Sequence, residues 1–596
     1  MYRPRETMSA LYHKTNVNVS EKANMIWNIA DIIRGTFKPH EYGKVILPMT
    51  VLKRLNDTLL PTKEKVLEAY KEYGSLEVND GFFRDASGYP FYNTSPFTFE
   101  TLLNDPDHIE ENFRTFMAGF SENIQDILKN FKFEHIISDL VGSTAEDDKL
   151  FYVIQEFNKP NSYMGPDAIS TADMGYIFEE LIRKFSESYN EEAGAHFTAR
   201  DIIYLMTDLL VTEEDAALTR GKIDCYDMAM GTSQMLTCLT ERILQLDSEV
   251  EVNVFGQEFN PETFAIAKAD MIIRGGIADN MRFGDTLTND QFKGYKFDYC
   301  ISNPPFGVEW KPQKNAVEKE HKSGDNGRFG VGLPKISDGQ MLFTLNGISK
   351  LKDTGRMAII HNGSPLFTGD AGSGPSEIRK YIIENDWLDA IVQLPNDLFY
   401  NTGITTYVWL ISKNKSDERK GKVQLIDASN MYEKRRKSIG NKRVDLSEDC
   451  RAAIVQAYGE FTDKFYDYGD KSVESKVFNN EDFGFYKITI ESPLLDEKGK
   501  IVMKKGKPAP DTSKRDTENV PLTDNIKNYF EREVLPYNPD AWVDESKTVI
   551  GYEIPFTRHF YKYVAPEKSD AIAERICVIE AELTGSLKSL FGKDGE

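Results

Sequence analysis

A chain of 596 residues with 40% hydrophobic and 28% charged side chains is ordinary for a folded globular protein, which excludes a disordered or fibrous chain and leaves room for about three or four domains. Its 72 basic residues against 95 acidic ones give a formal charge of −23, which excludes a protein that grips nucleic acid by itself over a broad surface, because phosphate binding draws on clustered Lys and Arg. No apolar run reaches membrane-spanning length, and the start, Met1-Tyr2-Arg3-Pro4-Arg5, lacks an apolar signal core, so a cytoplasmic protein without membrane contact is expected.

Residues 1–165 read as a helical N-terminal domain. Met25, Ile26, Ile29, Ile32 and Ile33 recur at helical spacing, and Ile46, Leu47, Met49, Leu52 and Leu55 repeat the pattern. His40, His108 and His135 are isolated and read as surface or satisfied histidines. The cysteines Cys225, Cys238, Cys300, Cys450 and Cys577 are scattered without paired spacing, so no metal site is expected. The turn-rich run Asn158-Lys159-Pro160-Asn161-Ser162-Tyr163-Met164-Gly165-Pro166 marks a domain boundary. After a linking helix near 172–186 comes Ala195-His196-Phe197-Thr198-Ala199-Arg200-Asp201, leading into a helix over 202–210. Thr198 or Asp201 suits its cap, and its free N–H groups suit either a ligand carboxylate or a plain capped helix.

From Lys222 strands alternate with helices, the pattern of a parallel sheet. A strand over 223–227 ends in Asp227-Met228-Ala229-Met230-Gly231-Thr232-Ser233-Gln234, where Gly231 permits close approach of a ligand and Thr232 and Ser233 sit at a helix start. The absence of G-x-G-x-x-G and of G-x-x-x-x-G-K-[ST] disfavours a dinucleotide site and nucleotide hydrolysis. A strand over 252–255 ends at Glu258, suited to accept hydrogen bonds from a ribose diol. The next strand end carries Asp285 and Thr286, with Asp285 suited to an adenine amine. The run 297–302 ends at Asn303-Pro304-Pro305-Phe306. There the Asn303 carboxamide oxygen and the Pro304 carbonyl can accept both hydrogens of a flat amine, and Phe306 can stack on its ring. An Asn-Pro turn beside a core phenylalanine fits those four residues equally well. Each acid alone reads as a loop residue or cap; acids at three successive strand ends followed by Asn303 argue for one ligand site.

These segments, with Ile26-Trp27-Asn28-Ile29-Ala30-Asp31, Gly355-Arg356-Met357-Ala358-Ile359-Ile360, Leu394-Pro395-Asn396-Asp397-Leu398-Phe399 and Asp540-Ala541-Trp542-Val543-Asp544, closely resemble the modification (M) subunit of type I restriction-modification systems, an S-adenosylmethionine-dependent adenine-N6 DNA methyltransferase. The resemblance implies an α/β fold with a Rossmann-like doubly wound methyltransferase sheet over 166–445, a helical N-terminal domain and a mainly helical C-terminal region over 446–596. It implies S-adenosylmethionine as cofactor, held by Ala195, His196, Phe197, Thr198, Ala199, Arg200, Asp227, Ala229, Gly231, Thr232, Ser233, Gln234, Glu258, Asp285 and Thr286. Catalysis would fall to Asn303, Pro304, Pro305 and Phe306 on a base flipped out of the duplex. It also implies double-stranded DNA and a specificity (S) subunit as partners, two M subunits to one S, with a restriction-translocase subunit as a further partner. The chain departs from the family wording at Met228, where proline is common, at Ser233-Gln234, where small residues are common, and at Ala199, where a proline follows the threonine.

Between Gly307 and Ser337 lies a polar stretch with Lys311, Lys314, Lys319, His321, Lys322 and Arg328, read either as closing over DNA or as a solvated loop. Strands over 357–361, 388–394 and 405–412 and a helix near 339–352 complete the sheet. Tyr432-Glu433-Lys434-Arg435-Arg436-Lys437, with Lys442 and Arg443, is a basic run suited to phosphates or to a solvated face. A hairpin is expected near 486–507. Pro539-Asp540 and Glu545-Ser546-Lys547 are spaced too closely for a nuclease metal site. Ile572, Ile576, Ile579, Leu583, Leu587 and Leu590 form an apolar stripe, which packs on the chain's own body or, as the resemblance implies, beside helices of the S subunit. Two other readings remain open: an amino-methyltransferase acting on a protein glutamine, and a non-catalytic assembly scaffold.

Overall fold

The computed structural model describes residues 17–142, 147–188, 198–211, 221–563 and 567–591. Ala195, His196 and Phe197 lie outside them. Two compact units are present, residues 1–554 and 555–596.

The N-terminal part is helical because its apolar residues fall at helical spacing and polar residues stop each helix. Asn18 starts Val19–Trp27 by accepting a hydrogen bond from the Glu21 N–H at 3.1 Å. Tyr42–Leu59 is the central helix, with Val45, Ile46, Met49 and Leu52 fully buried. The turn expected as a boundary is clamped to it: Asp57 Oδ2 accepts from the Met164 N–H at 2.8 Å and Arg54 donates to the Ile169 carbonyl at 2.9 Å. The linking helix Thr171–Ser188 brings Ile177, Phe178 and Leu181 into the same core. That core also includes Ala265, Ala269, Ile272 and Ile273 of helix Pro261–Ile273, so the helical domain packs directly on a helix of the sheet layer.

The sheet begins with β1 (Lys222–Asp227), β2 (Glu251–Glu258), β3 (Met281–Phe283), β4 (Phe297–Ser302) and β5 (Leu351–Asn362). It continues with β6 (Leu388–Gln393), β7 (Thr406–Ser412) and β8 (Lys422–Asp427). β9 (Glu433–Ile439) and β10 (Lys442–Asp445) form a separate hairpin, while β11 (Lys464–Asp467) and β12 (Ser472–Asn479) return to the sheet. The order is β11-β12-β8-β6-β7-β5-β4-β1-β2-β3. Strands β3, β2, β1, β4 and β5 run parallel, and β7 enters antiparallel between β5 and β6. The chain leaves β1 toward β2 on one side and reaches β4 on the other, so the strand order reverses at β1, where open α/β sheets bind ligands beyond the carboxyl ends. All six residues of β4 are buried, the apolar run of a strand covered on both faces.

Because β11 and β12 extend this sheet, it runs past residue 445. Residues 446–554 combine helix with strand: after Glu448–Glu460 comes β13 (Gly484–Glu491), paired antiparallel with strands Asp516–Pro521, Trp542–Val543 and Val549–Tyr552. Buried Arg379 joins this small sheet to the short helix after β5, donating to the carbonyls of Tyr552 at 2.6 Å, Thr368 at 2.9 Å and Pro365 at 3.0 Å. The second unit holds helix Ser569–Phe591.

Candidate functional site

The carboxyl ends of β1, β2 and β4 and the turn after β3 converge on a cavity of about 260 Å³, just below the roughly 300–1,000 Å³ of most small-molecule sites. Asp227 closes β1. Its Oδ1 accepts from the Ala229 N–H at 3.0 Å and the Ser302 hydroxyl at 2.7 Å, while its Oδ2 is buried with no partner. Burial pushes this carboxyl up to about 7, against those two hydrogen bonds. Glu258 closes β2 and gathers backbone donors: Gly231 N–H at 3.0 Å on one oxygen, Phe259 at 3.0 Å and Asn260 at 2.8 Å on the other. Burial pushes it up to about 7 as well.

Gly231 sits at φ 53° and Ser233 at φ 69°, so the β1 turn enters helix Gln234–Leu246 through two left-handed residues. Ser233 is a non-glycine in that region, and its side chain makes no cap bond to the helix. Met230 packs against Gly256, where a Cβ would stand 2.2 Å from the methionine sulfur and push that side chain aside. Asp285 Oδ1 accepts from Leu287 N–H at 2.8 Å and its Oδ2 from the Gln313 amide at 2.9 Å. The Thr286 hydroxyl donates to the Met228 carbonyl at 2.5 Å, which ties the β3 and β1 turns together.

At the end of β4, the Asn303 amide nitrogen donates to Thr198 Oγ1 at 3.0 Å and its Oδ1 is buried without a partner. Phe306 is half-buried, edge-on to Phe399 with ring centres 6.5 Å apart. Asn303 and Pro305 line the cavity; Pro304 and Phe306 do not.

Of the residues assigned from sequence to the cofactor, Thr198, Asp227, Ala229, Gly231 and Thr232 line the cavity, as do Gln234, Glu258, Asp285 and Thr286. Ala199, Arg200 and Ser233 do not. Arg200 turns away because its guanidinium is bound by Glu179, with the Nε contact at 2.5 Å, and packs over the Tyr176 ring. Gln234 is held by the same Glu179, again at 2.5 Å. Neither Thr198 nor Asp201 caps helix Arg200–Leu210: Ala199 holds the cap position, Thr198 serves Asn303, and Asp201 pairs with buried Lys442 at 2.9 Å. Lys442 therefore leaves the basic run, whose exposed members Lys434, Arg436, Lys437 and Arg443 lie on or beside β9 and β10.

Sequence reasoning missed the roof of the cavity. Val308, Glu309, Trp310 and Gln313 line it, so the polar stretch after Phe306 is folded over the ligand side. Helix Lys314–His321 follows, and Arg328 clamps the stretch down, donating to the carbonyls of Thr286 at 2.7 Å and Leu287 at 3.2 Å while pairing with Glu320 at 2.7 Å. The signal for this was Arg328 alone among glycines, which has no legible partner in sequence. Phe259, beside Glu258 and 61% exposed, is a further lining residue.

Among the described residues no Lys or Arg lines the cavity, whereas Asp227, Glu258, Asp285 and Glu309 do. Such a set of acceptors disfavours a phosphate-bearing ligand and suits a cation with hydroxyl and amine donors. The buried oxygen of Asp227 without a hydrogen-bond partner is one acceptor of that set.

The family described as N-6 DNA Methylase matches residues 170–493, and the HsdM N-terminal domain matches residues 22–157. The type I restriction enzyme MjaIX methylase subunit of Methanocaldococcus jannaschii is 27% identical over 470 residues, covering 75% of this chain and 80% of the relative. The MpnII methylase subunit of Mycoplasma pneumoniae is 25% identical over 472 residues, covering 71% of this chain and 82% of the relative. The type I restriction-modification methyltransferase subunit of Streptococcus thermophilus shares the fold with a TM-score of 0.61 at 23% identity, over 79% of this chain and 97% of that one. The match at residues 170–493 takes in the whole cavity and covers more than half of the sequence: the chain belongs to the N-6 DNA methylase family.

Proposed function

We propose that this chain is the catalytic subunit of a type I restriction-modification methyltransferase, which moves a methyl group from S-adenosylmethionine to the exocyclic N6 of an adenine flipped out of duplex DNA. The observation that carries the reading is the Asn303 carboxamide, pinned through its nitrogen by Thr198 with its oxygen buried and unpartnered beside the acidic cavity. A buried acceptor without a partner costs free energy unless a ligand supplies the donor, and the amine of a flipped adenine supplies it.

S-adenosylmethionine, when bound, supplies an electrophilic methyl on a sulfonium. This chain's own residues do the rest. Glu258 is suited to the ribose diol and Asp285 to the adenine amine of the cofactor. Asn303 Oδ1 and the Pro304 carbonyl take the two hydrogens of the target amine, which holds its nitrogen lone pair toward the methyl. Phe306 stacks on the target base. Positioning and electrostatics then carry the rate, with no covalent enzyme intermediate.

Nothing at Met228, Ser233 or Gln234 favours a non-catalytic scaffold. The Met228 sulfur accepts from Asn346 at 3.5 Å within the core, and Gln234 is tied back by Glu179.

Sequence reading of DNA falls to a separate S subunit in this account, two M subunits to one S. In the second unit Ile572, Ile576, Ile579 and Leu583 recur at helical spacing and are 39%, 58%, 57% and 59% exposed, an apolar stripe suited to a partner helix. The test is transfer of labelled methyl from S-adenosylmethionine by the chain with its S subunit, to duplex DNA and to protein side by side. Label in adenine of the duplex is expected; label in a protein glutamine would overturn the reading.

A further inference from the structure

Between β13 and strand Asp516–Pro521 the chain leaves the small sheet as an arm. Bridges at Pro493–Pro510 and Leu495–Ile501, and a hairpin of Met503–Lys504 with Lys507–Pro508, fold it back on itself. Three backbone hydrogen bonds of 2.8 Å, from Val502 to Leu494, Leu494 to Ala509 and Ala509 to Val502, hold its three passes together. Residues 498–510 contain five lysines, no carboxylate, no arginine and no aromatic residue. Lys498, Lys500, Lys504, Lys505 and Lys507 are exposed, and none of their ammonium groups is ion-paired among the described residues; the bordering Asp496 accepts instead from the backbone N–H groups of Lys498 and Lys500, both at 2.9 Å, and Asp511 follows the run. Cations beside the arm are paired: Arg515 and Lys547 both reach Glu491 at 2.8 Å, and Arg532 reaches Asp524 at 2.9 Å.

The tip breaks two local rules. Lys504 stands directly across from Lys507, an unfavourable like-charge pair, and Lys505 occupies the left-handed turn position at φ 53° that asparagine or glycine favours. Conflicts of that kind persist where function holds them, and neutralisation of both lysines by a polyanion removes the first. Lysines act as point charges without the fork that arginine offers to a carboxylate, and with no aromatic residue to stack on a base the arm suits sequence-independent phosphate contact. Without the five lysines of the arm the chain would carry a charge of −28 in place of −23.

We propose that residues 498–510 form a phosphate-contacting arm that lies on the backbone of duplex DNA, giving grip to a chain whose overall charge repels a polyanion. This rests on the reading of DNA as substrate. The experiment compares the full-length chain with a variant carrying Lys498→Gln, Lys500→Gln, Lys504→Gln, Lys505→Gln and Lys507→Gln, measuring by fluorescence anisotropy its affinity for a duplex of arbitrary sequence across a salt series. Each lost phosphate contact flattens the slope of log affinity on log salt by about 0.9, so a flattening of about 2–4 is expected, with affinity at low salt down roughly 10- to 100-fold. Unchanged calorimetric binding of S-adenosylmethionine reports intact folding, and five Lys→Arg substitutions should restore the slope. An unchanged slope and affinity would overturn the proposal, as would unchanged DNA binding with loss of self-association, which would make the arm a protein contact. Adenine methylation with an arm-independent slope sinks only the arm; an arm-dependent slope without methylation sinks only the catalytic reading.

Discussion

The amide nitrogen of Asn303 donates to the hydroxyl oxygen of Thr198 at 3.0 Å, and this one bond fixes which way the carboxamide points. Thr198→Val keeps the shape but removes the acceptor, leaving the Asn303 group free to turn. The single-turnover methylation rate should fall roughly tenfold, near 1–2 kcal/mol, with calorimetric cofactor affinity changed less than threefold. An unchanged rate would remove Thr198 from the positioning of Asn303.

Asp227 and Glu258 both hold their protons up to about 7, against ordinary values of 3.8 and 4.5, with burial the largest cause. Raised folded values mean that their stabilising contribution to the free chain is complete below the ordinary values and is lost as pH rises through 7, by an amount on the order of 2 kcal/mol or more. Denaturant unfolding of the free chain should show this decline from about pH 4 to pH 7, levelling off above it, and Asp227→Asn should flatten it. A ligand that donates hydrogen bonds to the ionised carboxylates must expel those protons. Calorimetry at pH 6.5 in buffers of differing ionisation enthalpy should therefore show proton release on binding S-adenosylmethionine, reduced in Glu258→Gln. Proton uptake would contradict these roles.

Gln313 covers Asp285 Oδ2 from the roof at 2.9 Å, while its own oxygen is buried without a partner. An incoming adenine amine must displace or share that contact. Gln313→Ala should speed cofactor association in stopped-flow fluorescence by a few-fold. Slower association or much weaker binding would instead make Gln313 part of the grip.

Ser233 is buried in left-handed backbone with no cap bond, its hydroxyl facing only the Met281 sulfur at 3.8 Å. Ser233→Gly should stabilise the chain by about 1 kcal/mol, read as a melting point about one degree higher. A lower melting point would show that the hydroxyl, not the backbone, sets the local energy.

The parallel part of the sheet was legible because each strand is a short apolar run ending in a polar residue, and Asp227, Glu258, Asp285 and Asn303 all stand at or just beyond those ends. The antiparallel entry of β7 between β5 and β6 was not, since the run from Thr406 to Ser412 is apolar whichever way it runs. Arg200 and Lys442 were misread for one reason: a basic residue in sequence shows its charge but not its partner, and Glu179 and Asp201 lie 21 and 241 residues away. The roof from Val308 to Arg328 depends on one arginine reaching two carbonyls of another loop, a long-range bond that no periodicity records.

The central claim, that the buried oxygen of Asn303 receives the target amine, is tested most directly by single-turnover methylation of a cognate duplex by Asn303→Ala assembled with its S subunit, with calorimetric binding of S-adenosylmethionine measured on the same preparation. The account predicts no detectable N6-methyladenine and cofactor affinity within about threefold of the parent chain, since the carboxamide contacts the target rather than the sulfonium. Methylation at near-parental rate, or loss of cofactor binding together with methylation, would contradict it.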